Sequence, residues 1–265
     1  MIGAIIGDIV GSRFEFDNYR AKDFDLFTDE CFPTDDSIMT VALGKAILEC
    51  NGNFADLNKR AISCMQELGR PHPNCGFGGS FYEWIYSDNP KPYNSFGNGA
   101  AMRISSVGFV ARNMNEVKDL SYAVTSVSHS HLEGLKGAES VAAAIFLARQ
   151  SKTKEEIQKY IENNYYKIDF TLNEIRDSYE FNETCQNTVP QALEAFFESH
   201  DFENAIRNAI SIGGDSDTLA AITGSIAEAY FGVPYAIRKK AESYLNNKTF
   251  RPIYFWLKRF EKMFH

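Results

Sequence analysis

Apolar residues recur at helical spacing along almost the whole chain, and this restricts the fold more than any other feature. Residues 36–50 read apolar at Ile38, Met39, Val41, Ala42, Ala46, Ile47 and Leu48, with Pro33 ahead and Gly52 behind. An Ala-rich run fills 130–150 and ends at Arg149. Period and end signals predict further helices near 54–69, 99–112, 116–128, 153–163, 188–199, 201–211, 217–231 and 234–245. Alternating strand patterns with Asn-Gly or Asp-Gly turns are essentially absent. The chain therefore reads as all-α. Its 265 residues suit one large domain, 1–265, without linker, repeat or low-complexity tract. A domain of that size buries roughly three quarters of the surface its unfolded chain exposes, so it needs no covalent staples.

Charge and cysteine usage remove several function classes. The net charge is -8 and no basic stripe is present, which disfavours general nucleic-acid binding. Cys31, Cys50, Cys64, Cys75 and Cys185 are widely spaced and form no CxxC pair, as expected of reduced thiols in a cytoplasmic protein. No stretch approaches the ~20 apolar residues of a membrane span. Residues 1–8 are apolar but lack a basic flank and meet Asp8 early, unlike a signal peptide. The most loop-like stretch, 70–98, is rich in glycine, proline and aromatics, a composition expected of a ligand wall. The aromatic C-terminus (Phe250, Tyr254, Phe255, Trp256, Phe260, Phe264) is expected in the core of a monomer.

Five constellations carry chemistry. Thr34-Asp35-Asp36-Ser37 directly precedes an apolar helix and, alone, reads equally as a capped helix start. Gly213-Gly214-Asp215-Ser216-Asp217-Thr218 also precedes an apolar helix, one rich in small residues (Ala220, Ala221, Gly224, Ser225, Ala227). Such a helix packs closely, so its first turn points inward, where several carboxylates repel unless a cation neutralises them. Asp35, Asp36, Asp215 and Asp217, with the hydroxyls of Thr34 and Thr218, form an all-oxygen set suited to Mg²⁺ or Mn²⁺ rather than zinc. Four carboxylates are enough for two cations. The DxDxT-like phosphatase pattern is excluded, because no strand precedes Asp215 and the spacing to Thr218 is one short.

Gly7 and Gly11 give a smooth helix face near the start, and Glu15 follows between Phe14 and Phe16, where apolar flanks raise a carboxyl's pKa. Ser95-Phe96-Gly97-Asn98-Gly99-Ala100-Ala101-Met102-Arg103 is a glycine turn opening a helix, whose backbone amides suit a diphosphate. It lacks the lysine of a P-loop. Ser128-His129-Ser130-His131 sets two histidines before a long helix.

In this order, these motifs resemble the ADP-ribosylglycohydrolase family over nearly the whole chain. The resemblance implies a single all-α domain of orthogonally packed helices with two divalent cations, Mg²⁺ or Mn²⁺. It implies Thr34, Asp35, Asp36, Asp215, Asp217 and Thr218 as ligands, and Glu15, Asp36 and Asp217 as the catalytic group. Gly76, Phe77 and Gly78, then Phe96, Gly97, Asn98, Gly99 and Met102, look like the ADP-ribose wall, with His129 near the substrate. The implied activity is metal-dependent release of ADP-ribose from a protein side chain or small acceptor. The family also contains non-enzymatic lens crystallins, so a silent ADP-ribose-binding or structural protein is the alternative. A hydrolase of another nucleotide-sugar linkage is a third reading.

Overall fold

The computed structural model describes residues 1–264, and every regular element among them is helical. Besides short 3-10 helices at Ser12–Phe14 and Phe54–Asp56, these are in chain order α1 (Ile2–Gly11), α2 (Asp35–Glu49), α3 (Leu57–Gly69), α4 (Gly79–Tyr86), α5 (Gly99–Met102), α6 (Ser105–Val110), α7 (Met114–Thr125) and α8 (Leu132–Arg149). They continue as α9 (Lys154–Asn164), α10 (Leu172–Ile175), α11 (Cys185–Phe197), α12 (Phe202–Ile210), α13 (Ser216–Phe231), α14 (Tyr235–Leu245) and α15 (Arg251–Phe264). Strand-like pairing among the described residues is limited to one antiparallel bridge between Gly97 and Thr184. One apolar cluster runs from Met1 to Phe260. No helix among the described residues is long and apolar enough to cross a membrane.

Two helices have no solvent face for most of their length. Every residue of α1 is buried, and so is α13 from Ser216 to Glu228. A helix apolar on all sides belongs in the middle of a bundle. The two lie against each other along small residues. A methyl group at Gly7 would sit 1.9 Å from the Ala220 carbonyl oxygen, and one at Gly11 only 2.5 Å from Asp217 Cα. Glycine at these positions brings the backbones into contact, and Gly11 brings the first turn of α13 to the end of α1. Gly7→Ala is therefore expected to destabilise the protein by about 3 kcal/mol, the upper end of ordinary overpacking, in denaturant titration. A change within about 0.5 kcal/mol, the size of a typical surface substitution, would mean that the seam has slack.

Three predicted elements differ in the structure. The helix predicted over 99–112 is two short helices, α5 and α6, broken at Arg103 and Ile104, both of whose side chains are buried. The stretch 70–98 contains α4, which buries Phe81, Trp84 and Ile85 at i, i+3 and i+4; the surrounding glycines and prolines hid that period. The aromatic C-terminus is an amphipathic helix whose Ile253, Leu257 and Phe260 are buried while Phe255 is exposed. All five cysteines are free and buried.

Candidate active site

Asp8 projects from the middle of α1 and is fully buried. Its carboxylate accepts from Thr34 N at 3.0 Å, Thr34 Oγ1 at 2.6 Å, Ser37 N at 3.0 Å and the Ser37 hydroxyl. Four donors on one carboxylate fasten the start of α2 to α1. Thr34 also caps α2, accepting from Asp36 N at 3.2 Å. Its hydroxyl is thus committed on both sides, and Thr34 does not line the cavity described below. Asp35 donates its backbone amide to the Cys75 carbonyl at 2.9 Å. Gly76, at φ 113°, leaves room for the Asp35 carboxylate, since a methyl group there would lie 2.8 Å from Oδ1.

The second half is built on a different turn. Gly213 and Gly214 both adopt left-handed backbone, at φ 74° and 75°, a conformation that favours glycine. Gly214 N donates to Asn18 Oδ1 at 2.9 Å. Asp215 stands at the start of α13, yet its side chain does not cap the helix. It accepts instead from Asn98 Nδ2 at 2.7 Å. Thr218 Oγ1 lies 3.3 Å from both Asp36 oxygens. The glycine turn at Asn98, the turn at Asp215 and the start of α2 are thereby joined by side-chain bonds across the sequence.

Carboxylate oxygens within 4.8 Å of one another form two trios, Asp8–Asp36–Asp217 and Glu15–Asp215–Asp217, which share Asp217. Asp35 belongs to neither. No lysine or arginine among the described residues forms an ion pair with any of these six acids. Burial is the largest cause of every shift here. It raises Asp8 to about 6 in spite of its four donors, and Asp215 to about 6. It raises Glu15 to about 8, helped by the charges of Asp217, Asp8 and Glu183. Asp35, Asp36 and Asp217 rise well above the ordinary carboxyl value through burial and mutual repulsion. Six crowded acids without a countercharge can be held only by protons or by cations. The donor set is entirely oxygen, which fits a hard divalent cation.

The cluster forms one wall of a cavity of about 450 Å³, within the range of small-molecule sites. Glu15, Asp35, Asp36, Asp215, Asp217 and Thr218 line this acidic pole. Gly76, Gly78, Phe96, Gly97, Asn98, Gly99, Met102 and His129 line the remainder. Phe77 does not; its ring packs on Phe81, 5.6 Å between centroids, and against Gly69. The diphosphate expectation for backbone amides narrows as well. Gly97 N donates to Ser95 Oγ at 3.1 Å and Asn98 N to the Glu183 carbonyl at 2.8 Å, and α5 is a single turn. The sequence expectations assign no role to Asp8, Arg103 or Glu183, and take Phe81 and Tyr93 only as part of the aromatic stretch 70–98. For Asp8 a signal existed: one acid inside an otherwise apolar N-terminal helix.

Comparison with known proteins gives a consistent picture. A family model described as ADP-ribosylglycohydrolase matches residues 1–249. The chain is 29% identical over 153 residues to an uncharacterized protein of Archaeoglobus fulgidus, covering 51% of this chain and 50% of that one. It is 25% identical to the ADP-ribosylhydrolase ARH3 of Xenopus tropicalis, over 92% of this chain and 90% of that protein. It is 25% identical to the ADP-ribosylarginine hydrolase Tri1 of Pseudomonas putida, over 88% of this chain and 70% of that protein. A solved structure titled ADP-ribosylglycohydrolase-related protein complex superimposes with a TM-score of 0.66 at 21% identity, covering 92% of this chain and 94% of that one; this likeness bears on the fold.

Proposed function

Since the chain belongs to the ADP-ribosylglycohydrolase family, we propose that it hydrolyses the glycosidic bond between ADP-ribose and a protein side chain or small acceptor, releasing ADP-ribose. The observation that carries this reading is the pair of carboxylate trios meeting at Asp217, beside a cavity that is also lined by a glycine turn. We take residues 1–265 as one domain with this single site.

Asp36, Asp215 and Asp217, with Asp35 and Thr218 around them, would hold two divalent cations, Mg²⁺ or Mn²⁺, while Thr34, its hydroxyl engaged by Asp8 and by Asp36 N, would position Asp36. When bound, such cations neutralise the carboxylates and lower the pKa of a coordinated water or ribose hydroxyl. Asp8 holds Thr34 and Ser37, and through them the first turn of α2, so it sets where Asp36 stands. Asn98 does the same for Asp215. Glu15 stands at the cavity wall on the turn after α1, only part-buried, and no described residue donates to its carboxylate. It is free to exchange a proton with the scissile position as positive charge develops on the sugar, as in other glycoside hydrolyses. Phe96, Gly97, Asn98, Gly99 and Met102, with Gly76, Gly78 and His129, form the wall against which the nucleotide lies.

The acceptor is the finer question. The Pseudomonas putida relative is an ADP-ribosylarginine hydrolase, and the vertebrate relatives' names specify no acceptor. The test is release of free ADP-ribose from arginine-modified and serine-modified peptides, run side by side. Release is expected from at least one, and Glu15→Gln is expected to lower it by about 100-fold, the scale of one general acid or base. No release from either peptide, with ADP-ribose still bound, would favour the silent binding protein. Release unaffected by Glu15→Gln would remove Glu15 from the catalytic group.

A further inference from the structure

The cavity is also lined by two basic groups, Arg103 and His129. Both are buried, at 1% and 4% exposure. Arg103 has no carboxylate partner. Its guanidinium lies 4.8 Å from the centroid of the Phe81 ring, and its Nε and Nη1 have no hydrogen-bond partner. Burying a guanidinium so incompletely satisfied is costly, and such a group calls for a reason other than packing.

Its remaining nitrogen supplies one. Arg103 Nη2 lies 2.8 Å from Ser128 Oγ and 3.2 Å from His129 Nδ1, and Ser128 Oγ is 2.9 Å from the same Nδ1. A guanidinium nitrogen can only donate and stays protonated in proteins. Nδ1 must therefore accept, which leaves the ring proton on Nε2. Ser128 agrees with this direction: its oxygen accepts from Arg103, and its own proton is free to point at Nδ1. Nε2 faces the glycine turn; methyl groups at Gly97 and Gly99 would each lie 3.5 Å from it. The donor thus emerges at the turn whose Gly97 and Asn98 amides are already occupied.

We propose that Arg103 is a positioning residue that locks His129 as the Nε2–H tautomer, so that the glycine turn presents a side-chain hydrogen-bond donor to an acceptor oxygen of the bound ligand. The ligand chemistry it fits is a phosphate oxygen. Burial, and then the Arg103 charge, hold the His129 pKa well below its ordinary value, so protonation does not compete with the lock. The identity of the oxygen rests on the ADP-ribose reading above; the tautomer does not.

Nitrogen-15 NMR of the histidines in the ligand-free full chain at neutral pH tests the lock directly, and calorimetric titration with ADP-ribose tests its use. The wild type is expected to give a protonated Nε2 and an unprotonated Nδ1 for His129. Arg103→Met keeps an apolar chain over Phe81 while removing the donor. It is expected to release the ring to a mixture of tautomers and to weaken ADP-ribose binding about tenfold, the scale of one charge-assisted hydrogen bond. Arg103→Lys retains a cationic donor and is expected to keep the tautomer, which also serves if Arg103→Met does not fold. A wild-type His129 protonated on Nδ1 overturns the proposal. So does an Arg103→Met protein with mixed tautomers and unchanged affinity. A wild type with the Nε2–H tautomer but no affinity for ADP-ribose supports the lock and instead overturns the reading of the cavity.

Discussion

Asp217→Asn is expected to lower ADP-ribose release by at least about a thousandfold, equivalent to roughly 4 kcal/mol of transition-state stabilisation. Asp217 is the one acid common to both trios, so the substitution removes charge from each at once. Asparagine keeps the shape and keeps an oxygen for the Thr218 amide, which Asp217 Oδ1 accepts at 2.9 Å. The first turn of α13 should therefore survive. In metal-free protein the variant should melt no lower than wild type, because it removes one of several buried like charges. Near-wild-type turnover in a folded variant would reduce Asp217 to a helix-terminal acid and break the link between the trios and catalysis. Loss of turnover together with loss of folding would be uninformative for Asp217 alone, which is why melting is measured in the same preparation.

Removal of divalent cations is expected to abolish turnover and to invert the dependence of stability on pH. In the metal-free protein Asp8 and Asp215 titrate near 6 and Glu15 near 8, against ordinary carboxyl values near 4 in the unfolded chain. Between those limits the folded state binds more protons than the unfolded one, so stability falls as pH rises. Chelated protein should melt higher at pH 5.5 than at pH 8. Adding Mg²⁺ or Mn²⁺ should raise melting most at pH 8, where the carboxylates are bare, and restore activity there. Chelator-insensitive turnover, or metal-free protein that gains stability from pH 5.5 to 8, would sink the cation reading.

The helical nature of the chain was legible because long segments such as 36–50 and 217–231 bury one or all faces at a constant period, and a period survives without tertiary information. Where elements are only a turn or two long, as at α5, α6 and α10, no period can build up. Arg103 shows the limit most clearly. A reading by period carries a helix straight through it, whereas the helix breaks there and the guanidinium reaches Ser128 and His129.

The acidic residues present the opposite case. Asp35, Asp36, Asp215 and Asp217 stood out as types and spacings, yet each pair alone resembled a helix start. What separates the two readings is a bond that no spacing encodes: Asp215 turns away from α13 and accepts from Asn98, 117 residues earlier. Asp8 is visible as a lone acid in an apolar helix, but its role lies in contacts with Thr34 and Ser37 that no spacing encodes. Phe77 was grouped with its glycine neighbours by motif, but an aromatic ring among Phe81 and Gly69 packs inward.

The glycine seam between α1 and α13 also governs when the molecule can acquire its site. Asp8 and Glu15 precede Asp215 and Asp217 by about two hundred residues, and the Gly7 face of α1 is fitted to α13. Until α13 is made, the nascent chain holds two acids of one trio, Asp8 and Asp36, and only Glu15 of the other, with a hydrophobic α1 that lacks its mate. Closure is consequently a late event spanning nearly the full chain, of the long-range kind that slows folding. A growing chain therefore cannot assemble the acidic pole before α13 is made.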